Sequence, residues 1–173
     1  MIIGFVQEKG GVGKTTLSIH AATWLARQGH RVALMDLDTQ GGVSHFLGMD
    51  PADDVAELLR AVLFLRPDRR PGIASFLTPF PLDQYTDLVL VRGYTASSEV
   101  EASLRQPGRP PARKVLTEAL APLTRGGVIV VIDTGPYAGK LQEAVLEAAD
   151  HVFTPGIPEG ATEAGLLKVA QHL

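Results

Sequence analysis

Residues 1–16 read M-I-I-G-F-V-Q-E-K-G-G-V-G-K-T-T, and this stretch decides the fold class. Ile2, Ile3, Phe5 and Val6 form the short apolar run of a strand buried on both faces of a parallel sheet. A glycine-rich turn, Glu8 to Lys14, follows it. From Thr15 the apolar side chains Leu17, Ala21, Trp24 and Leu25 recur at helical spacing, and Gly29 is the residue expected just past a helix end. Val32 to Leu37 is a second apolar run, close enough behind the helix to complete a βαβ crossover with parallel strands. The expected class is α/β, with a mostly parallel central sheet flanked by helices.

The rest of the chain continues the alternation. Asp53 or Asp54 is placed to cap a helix through Val55, Leu58, Leu59 and Val62, and Leu88 to Val91 reads as a buried strand. Between them Pro67, Pro71, Pro79 and Pro81 break any regular element and predict surface excursions. After a second proline-glycine break at 106–111, Val115, Leu116, Ala119, Leu120 and Leu123 form a helical stripe ending at Gly126 and Gly127. Val128 to Ile132 is a β-branched run leading into Asp133. A helix is expected over Leu141 to Ala148, a short strand over Val152 to Thr154, and a helix-like segment over Ala161 to Leu173 that stops without a capping signal.

Composition narrows the classes. With 173 residues, 45% of them hydrophobic, the chain can bury one core, and a single domain is expected. A net charge of -3 gives no whole-chain attraction to nucleic acid or anionic lipid, so any such contact must be a local patch. The absence of cysteine excludes disulfides, thiolate metal sites and cysteine-ligated iron–sulfur clusters. No signal peptide or membrane span is visible, and the cytoplasm is the expected compartment.

Gly13-Lys14-Thr15 matches the end of the P-loop pattern G-x-x-x-x-G-K-[ST], with Glu8 at its first position. Backbone N–H groups must wrap closely around phosphate oxygens, which Gly10, Gly11 and Gly13 allow, and the following helix N-terminus adds its dipole. Nucleotide is therefore expected at Gly10, Gly11, Val12, Gly13, Lys14, Thr15 and Thr16, with Lys14 on the β/γ-phosphates, Thr15 on Mg²⁺ and Thr16 near the α-phosphate. Asp36, Asp38 and Asp133 stand at the carboxyl ends of expected strands, where ligands of open parallel sheets bind.

K-G-G-V-G-K-T-T (9–16) resembles the deviant Walker A motif of the ParA/MinD superfamily of P-loop ATPases. D-L-D-T-Q-G (36–41) resembles that family's D-x-D-P-Q-G, with Thr39 replacing the usual proline, and D-T-G-P (133–136) resembles its Walker B, commonly D-x-P-P. T-P-G-I-P (154–158) extends the likeness, which is closest to ParA/Soj partition ATPases. The resemblance implies a P-loop NTPase that uses ATP and Mg²⁺. It implies that Lys9 reaches across a dimer to the partner's nucleotide, that Lys14 stabilises the transferring phosphoryl group, and that Asp38 positions the attacking water. Thr15, Asp36 and Asp133 are then the metal-site residues, with Asp36 supporting the Mg²⁺ or phosphate-loop network and Asp133 holding a metal-bound water.

The function implied is plasmid or chromosome partitioning by an ATP-sandwich homodimer that binds DNA nonspecifically, associates with the nucleoid, and is reset by hydrolysis that a ParB-like protein stimulates. No membrane contact is implied. Relatives are longer, and the later strands that contact adenine have no counterpart after Leu173. The chain is thus expected to be one P-loop ATPase domain over 1–173 lacking the usual C-terminal part. Two alternatives remain: a MinD-like ATPase switched at a membrane, and an ATP-dependent biosynthetic ligase of the dethiobiotin synthetase type. GTP is not excluded, although no N-K-x-D guanine motif is present. Arg105, Arg109, Arg113 and Lys114 are either DNA contacts or a solvated face. Each histidine is expected to pack or face solvent, and Trp24 is expected in the core beside Leu17 and Ala21.

Overall fold

The computed structural model describes residues 1–156. Its centre is a sheet of six strands: β1 (Ile2–Phe5), β2 (Val32–Asp36), β3 (Thr78–Pro79), β4 (Leu88–Val91), β5 (Ile129–Asp133) and β6 (His151–Phe153). Their spatial order is β3-β4-β2-β5-β1-β6, and every pair is parallel except β3 with β4. Parallel neighbours need crossovers, which the helices α1 (Lys14–Arg27), α2 (Gly42–Phe46), α3 (Asp54–Phe64), α4 (Ser97–Leu104), α5 (Ala112–Arg125) and α6 (Lys140–Ala148) provide.

Alternation along the strands divides the core between the two faces. Ile3, Phe5, Val32, Leu34 and Val131 pack with Ile19 and Ala22 of α1 and Val43 of α2. Ile2, Ala33, Met35, Val130 and Ile132 pack with buried residues of α3, α4, α5 and α6. Gly4 permits a close approach on that second face, because a Cβ there would lie 2.6 Å from Cγ1 of Val145 in α6.

Several expectations are corrected. Trp24 is 60% exposed and Leu17 46% exposed, so they are not core residues. They do share a stripe with Ala21, but the stripe that α1 turns to the sheet carries Ser18, Ile19 and Ala22. Asp53 is at the N-cap of α3 and makes no capping bond; its carboxylate accepts from Ala96 N at 2.9 Å, while Asp54 pairs with Arg92 at 2.9 Å. The proline-rich stretch is more ordered than expected, with 3-10 turns at Pro67–Arg69 and Ile73–Phe76 and the antiparallel edge strand β3. Helices α2 and α4 were not foreseen, since each is short and neither has a clear apolar stripe in the sequence. The helix-like segment 161–173, and part of the 154–158 motif, lie outside the described residues.

Candidate nucleotide-binding site

Three adjacent strands converge on the site. In the sheet register Asp133 is paired with Asp36 on one side and with Phe5 on the other, so β2, β5 and β1 end level with one another. The loops that follow them carry Asp38, Thr134 to Gly139, and the glycine-rich turn.

That turn requires glycine for conformation rather than for space. Gly11 (φ 72°) and Gly13 (φ 87°) occupy the left-handed region, and a Cβ on either would meet nothing within 4 Å among the described residues. Helix α1 starts directly from it, with Leu17 N bonded to Gly13 O at 2.9 Å and no side chain capping its first amides. Those amides are available to an anion.

A cavity of about 330 Å³ opens above the turn. Gly10, Gly11, Gly13, Lys14, Thr15 and Thr16 form one wall, and Asp38, Thr134 and Pro136 the other. Val12 is buried and does not line it. Lys14 is buried too, and its Nζ donates to the carbonyl of Lys9 at 3.2 Å. Burial lowers the Lys14 pKa against the opposing pull of Asp133 and Asp38. Lys9 is half-buried at the start of the loop.

The carboxylates have different surroundings. Asp36 is fully engaged with backbone, its Oδ1 accepting from Asp38 N and its Oδ2 from Val43 N, each at 2.9 Å. Burial, with the neighbouring Asp133 charge adding to it, pushes Asp36 up to about 8. Asp133 accepts from the Thr15 hydroxyl through Oδ2 at 2.6 Å, while its buried Oδ1 has no hydrogen-bond partner among the described residues. Burial raises Asp133 to about 6, with the Thr15 bond and then Lys14 holding it back. Asp38 turns its own loop, accepting from Gln40 N through Oδ1 at 3.0 Å.

The donor set fits Mg²⁺. A buried carboxylate oxygen without a partner, beside a threonine hydroxyl and an anion-binding loop, can take a hard cation through waters and phosphate oxygens. Asp133 and Asp38 both act on Lys14, the one cation among the described residues that lines the cavity.

Four residues of the site were missed in the sequence. The Tyr137 hydroxyl donates to the carbonyl of Leu37 at 2.9 Å and so ties the loop after β5 to the loop after β2. This also explains the glycine within D-T-G-P, because a Cβ at Gly135 would lie 2.2 Å from Cε1 of Tyr137 and 3.0 Å from Oδ1 of Asp38. The buried Thr134 hydroxyl donates to the carbonyl of Phe5 at 2.8 Å. Gln7 is wholly buried behind the loop. Glu101 of α4 accepts from the first amides of α6, Lys140 N at 2.5 Å and Leu141 N at 2.9 Å. Only the proximity of Thr134 and Tyr137 to Asp133 in the chain could have flagged any of them.

A parallel sheet whose first strand runs through a glycine-rich turn into a helix, with Lys14 and Thr15 at its start and aspartates ending the neighbouring strands, is a P-loop NTPase fold. The family model described as "AAA domain" matches residues 1–173. The chain belongs to that family, and within it to the P-loop ATPases of the ParA/MinD type. It is 34% identical over 154 residues to the chromosome partitioning protein ParA of Myxococcus xanthus, a match covering 89% of this chain and 51% of that protein. Apo McdA from Cyanothece shares the fold at a TM-score of 0.81 and 21% identity, over 99% of this chain and 64% of that one. Cobyrinic acid a,c-diamide synthase from Mycobacterium smegmatis, with bound ADP and magnesium, superposes at a TM-score of 0.81 with 28% identity, over 99% of this chain and 65% of that one. The chain spans about half the length of the curated ParA relatives it matches. Among the described residues no helix is long and apolar enough to cross a membrane.

Proposed function

We propose that this chain carries the ATPase core of a partition switch: it binds ATP with Mg²⁺, pairs with a second copy around the nucleotide, engages DNA nonspecifically in that state, and is reset by hydrolysis that a ParB-like protein accelerates. The observation that carries the reading is the cavity wall that sets Asp38 against Lys14, Thr15 and Thr16.

Phosphoryl transfer needs positioning and charge stabilisation more than covalent chemistry from the protein. The loop amides and the start of α1 would cradle the phosphates, and the Lys14 ammonium would neutralise their charge. Its lowered pKa reflects burial, which a bound polyanion offsets. Thr15 and Asp133 would hold Mg²⁺, which supplies charge neutralisation on the β- and γ-phosphates. Asp36, whose oxygens hold the Asp38 and Val43 amides, fixes the loop from which Asp38 orients the attacking water. Lys9, at the mouth of the loop, would be completed by the partner's nucleotide.

A second reading is favoured by the likeness to cobyrinic acid a,c-diamide synthase, namely an ATP-dependent biosynthetic ligase of the dethiobiotin synthetase type. Phosphate release separates the two. A partition ATPase turns over slowly with ATP and Mg²⁺ alone, accelerates with DNA and its partner protein, and loses this in Lys14→Ala. Rapid turnover that depends on a small carboxylic acid would displace the partition reading. ATP-dependent sedimentation with liposomes would instead revive a MinD-like role.

A further inference from the structure

Positive charge is concentrated away from the nucleotide cavity. Residues 57–83 and 101–118 together hold Arg60, Arg66, Arg69, Arg70, Arg105, Arg109, Arg113 and Lys114, half of the chain's 16 lysines and arginines, against the five acids Glu57, Asp68, Asp83, Glu101 and Glu118. Two contacts bring the segments together. The Arg109 guanidinium lies 4.7 Å from the ring centroid of Phe64 at the end of α3. Arg70 bonds Glu118 of α5 at 2.7 Å and the carbonyls of Val62 and Leu65, each at 3.1 Å, which pins the Pro67–Arg69 turn beside α5.

The eight cations then separate by role. Arg60, Arg70 and Arg105 are paired with Glu99, Glu118 and Glu101 and serve the fold. Arg66, Arg113 and Lys114 are exposed with no carboxylate partner among the described residues, Arg109 is half-buried on Phe64, and Arg69 lies 3.8 Å from Asp68 with its side chain 80% exposed. Helix stability does not account for Arg113 and Lys114, since they occupy the first turn of α5, where the helix dipole disfavours cations and no acid compensates.

We propose that Arg66, Arg69, Arg109, Arg113 and Lys114 form the surface on which this protein holds the phosphate backbone of duplex DNA. The inference rests on the DNA-binding state proposed above and adds the surface, including Arg66 and Arg69, which the sequence did not associate with the second segment, while assigning Arg105 to α4. Four of the five are arginines, whose planar forks match phosphate oxygens, and Pro67, Pro107, Pro110 and Pro111 stiffen the loops that present them. Such contacts carry no base information, as nonspecific binding requires.

The test is fluorescence anisotropy of a labelled mixed-sequence duplex with the whole chain, ATP and Mg²⁺, between about 50 and about 200 mM salt. Arg66→Ala/Arg69→Ala and Arg113→Ala/Lys114→Ala are compared with Arg27→Ala/Arg125→Ala, which removes two exposed cations elsewhere. Each patch variant is expected to weaken binding at least tenfold at the lower salt and to flatten the log–log salt slope by about 0.9 for each phosphate no longer neutralised, with molar mass in ATP unchanged and the control close to wild type. Wild-type affinity and slope in both patch variants would overturn this surface and leave the DNA-binding state standing. Absence of DNA binding by the wild type in every nucleotide state would overturn both. Loss of binding to anionic phosphatidylserine vesicles with DNA binding intact would assign the patch to a membrane instead and overturn the proposal.

Discussion

The Thr15 hydroxyl donates a 2.6 Å hydrogen bond to Oδ2 of Asp133 and so joins the first turn of α1 to the end of β5. Oδ1 of the same carboxylate is buried and without a partner among the described residues. In the proposed nucleotide site this pair would hold Mg²⁺.

Asp133→Asn keeps the volume and removes the charge, so Mg²⁺ should no longer tighten ATP binding. A charged interaction of about 1.5–3 kcal/mol corresponds to a loss of about 10- to 160-fold in affinity with Mg²⁺ and little change in its absence. Titration of a fluorescent ATP analogue in Mg²⁺ and in EDTA measures this. An undiminished Mg²⁺ effect would remove Asp133 from the metal site.

The loops at the ends of β2 and β4 are held by one close approach. A Cβ on Gly93 would lie 2.0 Å from the carbonyl oxygen of Asp36, so Gly93→Ala must move the strand end that carries Asp36 and Asp38. A cost of about 1–3 kcal/mol is expected in urea unfolding, together with lost turnover. Gly72 has φ -63° and, among the described residues, nothing within 4 Å of a Cβ, so Gly72→Ala should stabilise by about 0.4–1 kcal/mol. Equal effects at the two positions would contradict the packing described.

Burial gives the nucleotide-free protein a distinct pH profile. Asp36 is raised from 3.8 to about 8 and Asp133 from 3.8 to about 6, so between these values the folded chain retains protons that the unfolded chain has released. Stability from these groups is therefore fully present below about pH 4 and is lost as pH rises, through about 6 for Asp133 and about 8 for Asp36. Melting temperature without Mg²⁺ should fall from pH 5 to pH 8, and Mg²⁺ with ATP should reduce the fall. A rise over that interval would show that the carboxylates are not protonated in the fold.

Trp24 is the single tryptophan and lies 60% exposed on α1. Its emission should be that of a largely solvated indole, and Trp24→Ser should change stability by no more than about 0.5 kcal/mol, against about 2–5 kcal/mol for the fully buried Leu34→Ala. A blue-shifted emission and a large cost would return Trp24 to the core.

Trp24 also marks where the sequence stops being legible. Periodicity identified α1 and the Leu17, Ala21, Trp24 stripe, but it cannot say which stripe meets the sheet, and Ser18 and Ala22 are too small or polar to announce a core face. Strands β1, β2, β4 and β5 were readable because burial on both faces makes them continuous apolar runs. Gly10, Gly11, Gly13, Lys14, Thr15, Thr16 and Asp38, which meet around the cavity, were readable because phosphate-binding loops and strand-end aspartates are fixed by spacing. Tyr137, Thr134, Gln7 and Glu101 act through tertiary hydrogen bonds to Leu37, Phe5, Pro155 and the start of α6, contacts between distant residues that no local pattern encodes.

The proposed switch requires an ATP-dependent dimer that Asp38 helps to dissolve through hydrolysis. Light-scattering molar mass of the wild type and Asp38→Ala, each with ADP and with ATP plus Mg²⁺, tests it directly. A monomer in ADP, a dimer in ATP, and a longer-lived dimer in Asp38→Ala are expected. A monomer under every condition, with ATP bound, would contradict it.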